Sequence, residues 1–257
     1  MDLGLQGKTA LVAASTAGLG RAVAQSLGQE GANVVLTGRR GDQARAIAAE
    51  LPAAIGVECD LLDPSSRAAM LTTAQQAFGG IDILVLNGPG PQPGTAADLD
   101  SSSAQAGLQA LLMPGLELIN ATLAGMRERG WGRILAIGSS GIAAPLPNLA
   151  ASNLGRSALA GYLKTLAAEV AADGVTVNLL LPGRIATDRV AALDAAAAQR
   201  EGSDVETVQR RSEASIPVGR YGDPAEFGAA GAFLCSSQAS YITGVALRCD
   251  GGLIRTL

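Results

Sequence analysis

The chain has no histidine in 257 residues. Imidazole general-base catalysis, a Ser-His-Asp triad and a histidine metal site are thereby excluded, so any proton transfer must use another group. Cysteine is scarce as well. Cys59, Cys235 and Cys249 have neither metal-ligand spacing nor an even count, and each lies in or beside an apolar run, as reduced core thiols do. No metal is expected. The 19 basic residues are scattered among 23 acidic ones, for a net charge of −4. Without a clustered basic surface, a nucleic-acid partner is not expected. No apolar run reaches the roughly 18 residues of a membrane span. The opening "MDLGLQGK" has an acid at position 2 and no apolar h-region. These absences lead to the expectation of a cytoplasmic protein with no membrane partner that acts on a small molecule.

What is present is a rhythm. Apolar runs of strand length alternate with segments of helical period: "TALVAA" then "GRAVAQSLGQEG", "NVVLTG" then "DQARAIAAEL", and "IDILVLN" after a helix at 64–78. The pattern continues through "GRILAIGSS", "VTVNLLLP" and a helix at about 223–237 leading into "GVALRCDGG". Strand followed by helix, repeated, predicts a parallel sheet of about seven strands covered on both faces, a three-layer α/β/α arrangement. No repeat or linker divides residues 1–257, so one domain is expected. Long helices are predicted at about 103–129 and 150–172. The polar, helical stretch at about 184–216 interrupts the rhythm just after a strand's C-terminal end, where a substrate lid would sit.

After the first strand comes "AASTAGLGRAVA", in which Gly18 and Gly20 lead into a helix beginning near Leu19. Glycine in such a turn lets backbone N–H groups approach a pyrophosphate, and the helix N-terminus supplies favourable partial charge. With "ECDLLD", "LNGPG", "LLLPGRIATDR" and the terminal "DGG" in register along the whole chain, the sequence resembles the short-chain dehydrogenase/reductase family. In appearance it is most similar to the 3-oxoacyl-[acyl-carrier-protein] reductases. The resemblance implies a Rossmann-type doubly wound sheet and a cofactor site drawn from Ala14, Ser15, Gly18, Leu19, Gly20, Asp60, Leu61, Asn87, Gly88, Pro182 and Gly183. Ala14 stands where the family's first loop glycine falls; if that position needs positive φ, the methyl costs about 1 kcal/mol while the backbone N–H is retained. The second strand ends in "LTGRR" with no carboxylate to bind a ribose 2′-hydroxyl, and Arg39 and Arg40 favour a 2′-phosphate, hence NADP(H) over NAD(H).

The resemblance also implies a catalytic Ser, a Tyr about 13 positions on, a Lys four beyond it, and an Asn from the preceding helix. Here the Ser is Ser139, but the Tyr and Lys positions hold Ser152 and Arg156, and the Asn position falls at about Leu111. Ser152 and Arg156 are four apart and share a helix face. A serine hydroxyl is a poor general acid and arginine keeps its proton, yet a guanidinium can orient a cofactor or stabilise an oxyanion. Asn120 and Asn153 do not obviously substitute. Among the three phenols, Tyr162 lies roughly opposite Arg156 on the helix, whereas Tyr221, with Ser140 and Arg184, is a candidate for the substrate pocket. Three readings stay open: an NADP(H)-dependent oxidoreductase of a carbonyl or alcohol, a lyase, isomerase or dehydratase in the same pocket, and a cofactor-binding protein without turnover. The apolar-faced long helices resemble those through which the family forms dimers and tetramers, so a homo-oligomer is expected.

Overall fold

The computed structural model describes residues 2–255. Seven parallel strands form one sheet in the order β3-β2-β1-β4-β5-β6-β7. They are β1 (Thr9–Val12), β2 (Asn33–Gly38), β3 (Ala54–Glu58), β4 (Ile83–Leu86), β5 (Gly132–Ile137), β6 (Val175–Pro182) and β7 (Ala246–Cys249). The strand-helix alternation read from the sequence is thus realised as a doubly wound domain. Successive apolar residues of each strand serve opposite faces, as the pleat requires. Ala10, Val12, Val34 and Leu36 point into one core, which they share with Val23 and Leu27 of α1 (Gly18–Gln29), Ile47 of α2 (Gly41–Ala48) and Phe227 of α9 (Pro224–Leu234). Leu11, Val35, Leu84 and Ile134 point into the other, against Met70 of α3 (Pro64–Phe78), Leu118 of α5 (Met113–Glu128) and Leu163 of α6 (Ala150–Val170).

The single helix expected over 103–129 is two: α4 (Ser101–Leu111) ends, and α5 begins after Leu112. Pro114, in the first turn of α5, has no N–H for a continuous ladder, and its ring would collide with the preceding turn. The break lets α4 lean onto α6 where glycines meet: a side-chain carbon at Gly107 would lie 2.8 Å from the Ala151 carbonyl oxygen, and one at Gly155 would lie 2.8 Å from that of Gly107. Alanine at either position would push the helices apart.

The stretch after β6 folds as two helices, α7 (Asp188–Glu201) and α8 (Val205–Ala214), capped by Thr187 and Asp204. β1 and β4 are neighbours, and the chain leaves them toward opposite sides, which opens a crevice at the strands' C-terminal ends. No described helix is long and apolar enough to cross a membrane, and no group of metal-ligating side chains occurs among the described residues. Cys235 is fully buried and its thiol is pushed up to about 12 by burial, which makes it inert.

Candidate active site

The turn between β1 and α1 is held by β2. Ala14 has φ +46, the left-handed region in which its methyl is disfavoured. Its N–H does not face the crevice as the sequence suggested; it donates to Thr37 Oγ1 at 3.2 Å, and the Ser15 N–H donates to the Thr37 carbonyl at 2.7 Å. The donors left for an anion are those at the start of α1, whose N-cap residue, Ala17, makes no side-chain capping bond. Gly20 is required by packing: a side-chain carbon there would lie 2.6 Å from the Ala14 carbonyl oxygen and 2.7 Å from Asn87 Nδ2. Asn87 uses that space to donate to the Ala14 carbonyl at 3.0 Å, tying the segment with Gly88 to the turn.

Arg39 and Arg40 are exposed at the end of β2, and Arg40 Nη2 donates to Thr16 Oγ1 at 3.5 Å, so this guanidinium lies against the same turn. Beside it, after β3, Asp60 accepts from the Leu62 N–H, and the Leu61 carbonyl is held at 2.5 Å by the buried guanidinium of Arg67. Pro182 closes β6, and the Gly183 N–H donates to the Cys249 carbonyl at 2.9 Å.

The catalytic candidates gather at the end of β5. Ser139 begins a short 3-10 turn, Ser140–Ile142, and its Oγ accepts the Gly141 N–H at 3.0 Å, leaving its O–H free to donate. Ser152 and Arg156 share a face of α6, with Arg156 Nε 3.4 Å from Ser152 Oγ. Arg156 Nη1 donates to the carbonyls of Ile137 and Gly138 at 3.2 and 3.1 Å, while Nη2 has no partner among the described residues. Burial, with the charge of Arg189 second, lowers this guanidinium to about 10, so it is still protonated at neutral pH. Leu111, Pro114, Leu118 and Leu159 join Arg156 around a recess of about 40 Å³. Its wall at Leu111 is apolar where an asparagine is implied, and the amide that does line it is that of Asn87. Asn153 is structural: its amide clamps Leu146 through both the N–H and the carbonyl.

Two substrate candidates are engaged elsewhere. Arg184 Nη1 donates to Asp194 Oδ1 at 3.0 Å, and the Tyr221 hydroxyl donates to Asp194 Oδ2 at 2.9 Å. Asp194 is only 1% exposed, so both groups serve to hold a buried carboxylate in α7. Burial also lifts the Tyr221 phenol above its usual range. A larger cavity, about 130 Å³, lies between the ends of β6 and β7 against Arg184, Arg220, Glu226 and Cys249; it contains neither serine nor Arg156. Sequence reasoning missed Thr187 and Arg189. Thr187 reaches the phosphate turn, its Cγ2 lying 3.9 Å from where a side-chain carbon on Gly18 would be, and "IAT" directly before a helical stretch was a usable capping signal.

An uncapped helix start, a glycine that only hydrogen would fit and a crevice at the strand switch define a dinucleotide-binding α/β domain. A family profile described as Enoyl-(Acyl carrier protein) reductase matches residues 13–254. The 3-oxoacyl-[acyl-carrier-protein] reductase FabG of Aquifex aeolicus is 34% identical over 260 residues, covering 98% of this chain and 100% of that one. The L-sorbose reductase of Gluconobacter frateurii, solved with NADPH and L-sorbose, superposes with a TM-score of 0.93 at 31% identity over 100% of both chains. YwfH, an NADPH dependent reductase involved in bacilysin biosynthesis, superposes at 0.92 with 26% identity over 97% of this chain and 99% of that one. The chain belongs to the short-chain dehydrogenase/reductase family and is an oxidoreductase of that class.

Proposed function

We propose that the protein is an NADP(H)-dependent reductase of a 3-oxoacyl-like carbonyl, or the reverse dehydrogenase, working without the phenol and ammonium of its relatives. The observation that carries this reading is the half-buried Arg156, held beside Ser152 at the end of β5 with a free Nη2. The residues present fit the cofactor: the uncapped start of α1 suits a pyrophosphate, Gly20 lets Asn87 fasten the turn that precedes it, and Arg39 and Arg40 suit a 2′-phosphate. When bound, the nicotinamide supplies the hydride. Ser139 and Ser152 donate hydrogen bonds to the carbonyl oxygen. Arg156 offsets the charge that develops there, a preorganised contribution that survives loss of a general acid. Neither serine nor arginine gives up a proton readily, so the final proton comes from water and the rate is low. The stretch at 184–216 acts as the lid, with Thr187 bringing α7 to the phosphate turn.

A homo-oligomer belongs to this reading: β7 is an edge strand on which Leu247 is exposed, with Val245 exposed just before it and a fully exposed Tyr241 nearby in sequence. The test is transfer of deuterium from 4-deuterated NADPH to β-ketoester and β-keto acid substrates, read by mass spectrometry. Deuterated alcohol supports the reductase. Product without cofactor consumption moves the protein to the lyase class. Tight NADPH binding with no product moves it to the binding proteins.

A further inference from the structure

Arg189, in the first turn of α7, is exposed and makes no ion pair or hydrogen bond among the described residues. It hangs over the crevice: a side-chain carbon at Gly90, three residues beyond Asn87, would lie 3.3 Å from its Nη2. Arg156, half-buried and likewise without a carboxylate partner, lines the recess together with Asn87 and Gly88, so the segment 87–90 has Arg156 at one end and Arg189 at the other, and the charge of Arg189 is felt at Arg156. Two guanidiniums without carboxylate partners thus flank one short segment, and that of Arg189 stands at the start of α7, where a helix's positive end further disfavours a cation. The arrangement is unfavourable alone and becomes favourable when an anion sits between the two. Arg184, a substrate-pocket candidate by sequence, is already paired with Asp194 and so is less suited to that task.

We propose that Arg189 and the free Nη2 of Arg156 form a seat for an anionic oxygen group, and that its occupant is a carboxylate carried by the substrate. The preferred substrate is then an oxo acid and not a neutral ketone or ester. A phosphate of the cofactor has the same chemistry, but the start of α1 already offers it uncommitted amides, whereas Arg156 lies at the end of β5 with Ser139 and Ser152. As a statement about substrate, this rests on the reductase reading; as a statement about binding, it does not.

The test is calorimetric titration of the full chain, saturated with NADP⁺, with acetoacetate and with its methyl ester, repeated on Arg189→Gln and Arg189→Lys. Circular dichroism confirms folding, which an exposed position should leave intact. The expected result is tighter binding of the acid than of the ester. Arg189→Gln should weaken the acid by about 10- to 150-fold, the range for a hydrogen bond to a charged group. Arg189→Lys should recover part of that loss, and NADPH affinity should not move. Equal binding of acid and ester, or binding of neither, overturns the proposal. If Arg189→Gln weakens NADPH and leaves the acid-to-ester ratio unchanged, the anion is the cofactor's and the substrate assignment falls. Turnover is not needed for these readouts, so a protein that reduces nothing yet selects the acid would refute the reductase reading and leave the seat standing.

Discussion

Restoring the missing groups should restore fast chemistry if only the acid and its cation have been replaced. The double change Ser152→Tyr with Arg156→Lys places a phenol and an ammonium one helical turn apart on the face of α6 that already carries the site. Lysine lowers the phenol pKa, so the pair should recover part of the roughly 10²- to 10⁴-fold that general acid catalysis contributes. The structure sets the accompanying loss. Arg156 Nη1 serves two carbonyls, those of Ile137 and Gly138, and a shorter ammonium that misses one leaves a desolvated acceptor, about 1 to 3 kcal/mol. A phenol in a half-buried serine's place overpacks for about another 1 to 3 kcal/mol. A combined loss of about 2 to 6 kcal/mol lowers Tm by roughly 4 to 24 °C for a chain of this size, so the assay should be run cold. Leu111→Asn belongs in a third variant, since Leu111 lines the recess beside Arg156. The readout is NADPH oxidation with acetoacetate and its methyl ester, on protein shown to be folded and to bind NADPH. A folded, cofactor-binding variant with no gain over the parent refutes the idea that the pocket kept its reductase geometry.

Arg39→Ala with Arg40→Ala should weaken NADPH by about 10- to 150-fold in a calorimetric titration while leaving NADH unchanged; equal losses for both would remove the 2′-phosphate assignment. Asp194→Asn takes the charge from the carboxylate that Arg184 and Tyr221 share, so hydrogen exchange in α7 and α8 should speed up by about 5- to 150-fold with little change in Tm. Glu226 is held down to about 2 from 4.5, first by its hydrogen bond from Arg220 and then by the Asp223 N–H. A depressed carboxyl stabilises the fold above its unfolded value and loses that contribution as pH falls toward the folded one. Glu226→Gln should therefore flatten the stability loss between about pH 4.5 and about 2, measured by urea unfolding. Ala14→Gly relieves a left-handed alanine, about 1 to 2 kcal/mol, against about 0.4 to 1 kcal/mol of added chain entropy, so Tm should hold or rise slightly; a clear fall would contradict the strain.

The sheet was legible because its signal is local: Val34, Val35 and Leu36 alternate between cores, and glycines or polar residues bound each run. The spacing that puts Ser152 and Arg156 on one face was equally legible, since helical geometry alone decides it. The hinge at Leu112 was not read, although Pro114 announced it, because the apolar period runs on across the break. Arg184 illustrates a deeper limit. Its partner, Asp194, arrives only when α7 folds back after the turn at Thr187, and no spacing rule specifies that approach. The same holds for the Ala14 N–H, whose acceptor belongs to the next strand.

Helix α6 behaves mechanically as a cantilever. Leu163, Leu166, Ala167 and Val170 clamp its C-terminal half in the core, while the half that carries Ser152 and Arg156 is held more lightly, through the small buried residues Ala151 and Gly155 against α4. Ser152 stands roughly 16 Å along the axis from Leu163 at about 1.5 Å per residue. A tilt of about 1° at the clamp thus swings the serine by about 0.3 Å, more than half of the roughly 0.5 Å tolerance of a working site. The glycine crossing with α4 and the Asn153 clamp on Leu146 act as lateral stops on that swing. Core substitutions around Leu163 should then detune the chemistry from a distance, and an evolving descendant could re-aim its reactive groups by adjusting the stops and leaving those groups unchanged.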